Sequence, residues 1–372
     1  AQERDAEIPI GHTGPRPSGG VGGTGQGVKC LHAHLAWYLA GGGDPVGRWV
    51  AHELADELSG PVAAVDCGTN STRLLVVSAA GETLRREMII TRLGQGVDHT
   101  GALSEEAIER TLGALRRYRE EMDRCGVVRV RAAATSATRD AQNAAEFFDP
   151  AEAILGVRPE LLDGSEEGRL AYRGATAELD PKGGPDLVVD LGGGSTELVA
   201  GGDVVGVPAA VISLDIGCVR VTERFFVHDP PQPDEVAAAR SYVRDVVDDA
   251  LEKLPALKVP RRMVGVAGTI STLTSLELGL DHYDSEKVHL ARLSRDAVEK
   301  WLATLSAETA AQRSERGAIE RGRADVIVGG AAVLVEVMAA LGFDELIHSE
   351  HDILDGIAEE LLEPIIGRPP GR

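Results

Sequence analysis

No apolar run in this 372-residue chain approaches the roughly 18 residues that a membrane-spanning helix needs, so a membrane protein is not expected. The first residues lack the basic, apolar and small-residue succession of a secretory signal. Cysteine is sparse: Cys30, Cys67, Cys125 and Cys218 lie far apart with no CxxC pair, which argues against a disulfide framework and a cysteine-built zinc site. Reduced, mostly buried thiols in a cytoplasmic protein are the expectation. Basic charge is also short, with 38 Lys and Arg against 59 Asp and Glu. A net charge of −21 argues against a broad nucleic-acid-binding face. It leaves room for an anionic substrate, because a few arginines and backbone amides reverse the potential inside a cleft. A phosphate-rich ligand would then arrive with Mg²⁺.

Glycine, by contrast, is concentrated where it says most. Residues 66–74 read "DCGTNSTRL" and residues 190–198 read "DLGGGSTEL". Both follow an apolar run, both obey Asp-x-Gly-x-x-Ser-Thr-x-Leu, and they stand 124 positions apart. A lone glycine-rich turn means little. A nine-residue pattern repeated after a buried strand predicts two related half-domains, each offering a strand-turn-strand loop.

The flanking pattern agrees. Strands are expected over 62–78 and in "GETLRREMIITRLG". A helix follows over 104–126, capped by Ser104, stopped by Gly126, with Ile108, Leu112, Leu115 and Met122 on one face. Then come a strand in "VVRVRAAAT", a helix in "RDAQNAAEFF", a strand near 160–162 and a helix in "DGSEEGRLAYRGATAEL". After the linker "DPKGGPD" the pattern restarts with a strand over 187–190 and a hairpin. Helices are expected at about 234–254 and 295–304, a buried strand leading into a helix in "RMVGVAGTISTL", and a long apolar helix in "RADVIVGGAAVLVEVMAALG". "ELIHSEHDILDGIAEELL" closes with a strand, a loop and a helix. The alternation predicts an α/β protein in two halves with a cleft between them. The expected divisions are a flexible tail 1–27, a short helical segment 28–60, a first domain 61–182 with the terminal helix 352–363 packed on it, and a second domain 183–350. His32 and His34 are two apart and do not share a helix face, so no metal site is expected there.

The repeated loops have a chemistry. Glycines let several backbone N–H groups point into one concavity, an anion-binding nest. Ser and Thr hydroxyls add donors, and an Asp at the end of its strand suits a water or a hydrated Mg²⁺. Two such loops across a cleft would hold successive phosphates. The competing reading is a pair of ligand-free hairpins, which needs neither three glycines nor the matched Asp.

The ordered motifs "AAVDCGTNSTRLLV", "ATSATRDAQNAAEFF", "DGSEEGRLAYRGA", "VVDLGGGSTELV", "DIGCVRVTERF", "GVAGTISTL" and "SEHDILDGIA" carry a specific resemblance. Over about 62–363 the chain resembles the exopolyphosphatase and guanosine pentaphosphate phosphohydrolase family, in its short actinobacterial form, within the actin, hexokinase and Hsp70 superfamily. Residues 28–60 resemble the tail of a small actinobacterial domain of unknown function. The resemblance implies an α/β fold of two actin-like (ribonuclease H-like) domains with an interdomain cleft. It implies Mg²⁺-dependent release of the terminal phosphate of inorganic polyphosphate, of pppGpp (giving ppGpp), or of both, and a homodimer.

Carried onto matching positions, Glu167 falls where the family has its catalytic base, and Asp190 and Glu197 assist metal and water, with Asp66 as a further metal carboxylate. Gly68, Thr69, Asn70 and Ser71 would form the first phosphate loop, with Gly192, Gly193, Gly194, Ser195 and Thr196 as the second. Gly268 and Thr269 begin a third loop, and Arg73 and Arg139 would contact phosphate. Read alone, Arg139 is a surface or cap residue and Glu166-Glu167 a solvated helix start; the motif series assigns them. Gly168 stands where the family often has Ala, which is expected to loosen the helix start beside Glu167. Thr69 stands where many members have Ser. The C-terminal helical domains of longer members are not present in this sequence, so processive degradation of long polyphosphate is not expected. The rival readings are a kinase of the same superfamily and a non-catalytic sensor of (p)ppGpp or polyphosphate.

Overall fold

Two sheets with one repeated topology organise the protein. The structure, a computed structural model, describes residues 60–202 and 206–363, and these lie in one compact unit. The expected tail 1–27 and the helical segment 28–60 therefore fall outside the described residues, apart from Gly60.

The first lobe runs β1 (Val62–Cys67), β2 (Ser71–Val77), β3 (Thr83–Ile90), α1 (Glu105–Arg124), β4 (Arg129–Ala134), α2 (Ser136–Asp140), α3 (Ala145–Leu155), β5 (Glu160–Leu161) and α4 (Gly164–Thr176). The second runs β6 (Asp186–Leu191), β7 (Thr196–Gly201), β8 (Pro208–Leu214), α5 (Cys218–Phe225), α6 (Pro233–Lys253), β9 (Arg262–Val266) and α7 (Gly268–Glu277). It continues through β10 (Arg292–Ser294), α8 (Arg295–Ser306), α9 (Ile327–Leu341) and β11 (Glu345–His348), and the chain then enters α10 (Ile353–Leu362). Strand order is β3-β2-β1-β4-β5 in the first sheet and β8-β7-β6-β9-β11-β10 in the second. In each, an antiparallel meander precedes parallel strands: β1 with β4 and β5, β6 with β9 and β11.

The continuous apolar runs explain the central strands. Every residue of β1 and of β6 is buried, as strands covered on both faces require. On one face of the first sheet α1 packs through Ile108, Leu112, Leu115 and Met122, and Ser104 caps it by accepting from the Ala107 amide. On the other face lie Leu170 and Ala171 of α4 with Ile353, Leu354 and Ile357 of α10. The next residues of α4, Tyr172 and Ala175, pack on the second sheet. Helix α4 is thus buried between the two sheets, and α10 returns to the first. The second sheet's other face holds a larger core with α6, α8 and the fully buried first twelve residues of α9.

Local differences have local causes. The helix expected in "RDAQNAAEFF" is two helices, α2 and α3, interrupted over 141–144. Strands β8 and β10 were not expected; β10 has only three residues, too few to show a period. Gly168 lies in the first turns of α4, where its missing side chain has a packing role. A Cβ there would stand 2.9 Å from Val199 Cγ2 and 2.8 Å from Val211 Cγ1, so its absence lets the helix lie close to β7 and β8.

The α4–α10 crossing depends on two glycines. A Cβ on Gly174 would stand 2.0 Å from the Asp352 carbonyl oxygen, and one on Gly356 2.1 Å from that of Leu170. Both obstacles are backbone. Gly174→Ala should therefore part the helices and destabilise the protein by about 1–3 kcal/mol in urea unfolding. Gly113→Ala, on the exposed face of α1 with nothing near its Cβ, should instead stabilise by about 0.5–1 kcal/mol.

Candidate active site

Strands β1 and β6 deliver Asp66 and Asp190 to equivalent places at the carboxyl ends of their sheets. Each strand then turns through a loop closed by the same bond, Gly68 N–H to Ser71 O and Gly192 N–H to Ser195 O, both 3.0 Å. The cross-strand partner of Asp66 is Arg73; the partner of Asp190 is Glu197. One hairpin carries an ion pair where its repeat carries two carboxylates, a combination that costs stability in a sheet.

The loops touch each other. A Cβ on Gly193 would meet Thr69 Cβ at 2.9 Å and the Asn70 amide nitrogen at 3.1 Å; one on Gly194 would meet Ser136 Oγ at 2.4 Å. The glycines admit the opposite loop as well as any ligand. Their carbonyls turn to the protein: Gly192 O accepts from Cys218, Gly193 O from Val219 and Arg220, and Gly194 O from Gly217 and the Arg220 side chain. What the loop keeps for a ligand is its remaining N–H groups, over 193–195, since that of Gly192 closes the hairpin. Asn70 Nδ2 and Ser136 Oγ are buried with no partner among the described residues, which adds two polar atoms beside the same loops.

A cleft of about 530 Å³ opens over the loops. It brings together Asp66, Gly68, Thr69, Asn70, Ser71, Arg73, Glu167, Asp190, Gly192, Gly193, Gly194, Ser195, Gly268 and Thr269. Three expected residues do not line it. Thr196 commits its hydroxyl to the Ile216 carbonyl at 2.9 Å. Glu197 is 1 % exposed and accepts from Ser213 Oγ at 2.7 Å. Arg139 donates to the Leu162 carbonyl at 2.9 Å and reaches Glu167 Oε2 at 3.4 Å, so it touches the candidate base from behind. Arg73 lines the cleft with its guanidinium already engaged, at 2.6 Å from Asp66 and in contact with Asp352.

Electrostatically the cleft is overloaded with carboxylates. Seven line it (Asp66, Glu87, Glu167, Asp190, Glu320, Glu350, Asp352) against three guanidinium groups (Arg73, Arg86, Arg323). Burial raises the Asp66 carboxyl despite its Arg73 partner. Burial, then Glu197 and Asp190, hold Glu167 well above the usual range. Burial, then Glu197, does the same to Asp190. Glu197 is pushed up to about 7 by burial, against hydrogen bonds from Ser213 and Ser195. A cation would answer this excess, and Asp66 Oδ1, buried with no partner among the described residues, could ligate one. The expected metal carboxylates Asp66, Asp190 and Glu197 do not bring three ligand atoms within 4.8 Å of one another; among the described residues Glu178, His289 and His351 do, and none of these lines the cleft.

Several lining residues escaped the sequence reading. Asp352 and Glu350 sit inside "SEHDILDGIA", and Asp352 could have been found as the N-cap of α10, which it is. Arg86 and Arg323 reach the cleft from β3 and from the turn before α9, with no motif to mark them. Ser213 lies on the unexpected strand β8.

Arg73→Ala would leave Asp66 and Asp352 buried without their shared counter-charge. It should destabilise by about 3–5 kcal/mol at neutral pH in denaturant unfolding, with Arg73→Lys restoring only part, since one ammonium cannot bridge both carboxylates in the same fork.

Comparison with known proteins gives the arrangement a context. Residues 75–363 match the Ppx/GppA phosphatase family, and residues 7–52, outside the described part, match "Protein of unknown function (DUF501)". Exopolyphosphatase 2 of Mycobacterium tuberculosis is 45% identical over 316 residues, covering 81% of this chain and 98% of that protein. The crystal structure of an exopolyphosphatase-like protein has 38% identity and a TM-score of 0.78 over 82% of this chain and 100% of that one. A family member from Aquifex aeolicus has 35% identity and a TM-score of 0.67 over 82% of this chain and 98% of its own. The α/β architecture of two actin-like lobes is theirs too. The chain belongs to the Ppx/GppA phosphatase family.

Proposed function

We propose that this chain is a Mg²⁺-dependent phosphoanhydride hydrolase that releases the terminal phosphate of inorganic polyphosphate, of pppGpp, or of both. The observation that carries the reading is the buried carboxylate group of Glu167, Asp190 and Glu197 beside two facing glycine loops. Phosphoryl transfer to water asks for a positioned anion, an in-line water and a carboxylate to take its proton. The N–H groups of 193–195 and 69–70, with the Asn70 and Ser136 side chains, bind the terminal phosphates. Glu167, its carboxyl raised and its position set by Arg139, orients the water and accepts the proton. Glu197, anchored by Ser213, lies across the hairpin from Asp190 and raises its carboxyl. Asp66 and Asp190 would hold Mg²⁺, which when bound supplies charge neutralisation and polarises phosphoryl oxygen. Arg86 and Arg323 attract the rest of the polyanion.

Phosphate release with Mg²⁺ from short polyphosphate, long polyphosphate, pppGpp and ATP tests the reading. Release from one or more of the first three is expected, with kcat lower by about 10²-fold or more in Glu167→Gln. No release from any, with (p)ppGpp still bound, would overturn hydrolysis and leave a sensor.

The raised carboxyls also predict a pH dependence. The folded protein holds these protons more tightly than the unfolded chain does. Without divalent cation the cluster's contribution to stability is therefore fully present below the unfolded carboxylate pKa, about 4.3, and is lost as pH rises toward about 7. At pH ~8 without metal, Glu167→Gln should be more stable than the parent by on the order of 1 kcal/mol or more, although inactive. Added Mg²⁺ should raise the parent's Tm more at pH ~8 than at pH ~5.

A further inference from the structure

We propose that Glu178, His289 and His351 form a binding site for a divalent transition ion of the Zn²⁺ class, apart from the phosphate cleft. Glu178 lies two residues beyond α4, His289 lies just before β10, and His351 immediately precedes Asp352, the N-cap of α10. One ligand atom from each lies within 4.8 Å of the other two. Nε2 of His289 is 2.9 Å from Glu178 Oε2, Nδ1 of His351 is 3.9 Å from Oε1, and the imidazole rings stand 5.0 Å apart between centroids.

The donor set decides the kind of ion. Two imidazoles and one carboxylate suit zinc, cobalt or nickel, whereas Mg²⁺ and Ca²⁺ prefer oxygen throughout. Three protein ligands leave a coordination position for water.

Two of the ligands are held in place by backbone. Leu290 N–H donates to His348 O at 2.7 Å and His348 N–H to Ala291 O at 2.8 Å, which pins the His289 and His351 segments together. A simple surface pair of His289 with Glu178 has no use for a second imidazole beside it. Among the described residues the His351 ring makes no hydrogen bond, and its Nδ1 stands 3.9 Å from Glu178 Oε1.

The site also touches the cleft by one step. The Glu350 amide donates to Nδ1 of His289 at 3.1 Å, so Nε2 carries the proton that faces Glu178. An ion at Nε2 sends that proton to Nδ1 and breaks the Glu350 contact. Glu350 also lines the cleft, so its amide couples this site to the cleft, and a shift at it is assigned to this site only when it is lost in His351→Ala.

The test uses the full chain, stripped with chelator and titrated with Zn²⁺ alone by calorimetry, then with Co²⁺ by visible absorption. With the cleft carboxylate removed in an Asp190→Asn background, one ion per chain is expected, with affinity about tenfold or more weaker when His351→Ala or Glu178→Gln is added. The Glu350 amide resonance should shift on binding in the parent and not in His351→Ala. Circular dichroism and Tm establish that both variants fold. Equal binding by the parent and both variants, or no saturable binding even in the millimolar range, would overturn the site. Loss of binding in Asp190→Asn with retention in His351→Ala would place the ion in the cleft and overturn it equally.

Discussion

The pair on which the site depends is Asp190 and Glu197, two carboxylates placed directly across a buried hairpin. The first lobe has the same hairpin and puts Arg73 at the second position, where it neutralises Asp66. Sheet physics favours the first arrangement and opposes the second. The second lobe nonetheless keeps two acids and adds Glu167 from α4; burial raises all three carboxyls, and repulsion from Glu197 adds to it at Glu167 and Asp190. Such a cluster is stable only with protons, a cation or both. The compensation that a purely structural hairpin would carry inside itself is left for something that binds.

The rest of the architecture keeps that cluster in register. Helix α4 lies between the sheets and presents Glu167 at its first turn, against Val199 and Val211 on the side where Gly168 has no Cβ. At its other end Gly174 brings α4 against the backbone of Asp352, which is at once N-cap of α10 and partner of Arg73. Glu167, the ion pair of the first hairpin and the helix crossing are therefore mechanically connected. A small displacement of α10 would be felt at Asp352, then at Arg73 and Asp66. Across the cleft the glycine loop is anchored from behind by the start of α5, whose amides take its carbonyls. Arg220 strengthens this by joining Gly194 O to Asp98 and Asp140 of the first lobe.

Much of this was legible before any coordinates. The repeated Asp-x-Gly-x-x-Ser-Thr-x-Leu pattern follows two buried strands, and a strand of unbroken apolar residues followed by glycine is a local signal. Helix α1 declared itself by Ser104 and a 3.6-residue stripe. Strand β8 did not, and with it Ser213, which holds Glu197. Arg86 and Arg323 were equally silent, because an arginine on an exposed strand or turn looks the same whether or not a cleft lies beside it. The triple glycine was read as room for phosphate. In the structure Gly193 and Gly194 also make room for Thr69, Asn70 and Ser136 of the other lobe.

By itself the sequence determined the α/β class, the duplication and the residues at the strand ends, since each rests on neighbours a few positions apart. Tertiary structure alone decided which carboxylates face an opposite charge and which face each other. It decided that Arg73 is shared between Asp66 and Asp352, 279 positions apart from the latter. It also turned Thr196 away from the cleft and drew Glu178, His289 and His351 into one cluster. The physical reason is that charge and burial depend on distance through space, which a linear chain leaves open until its sheets and helices have packed.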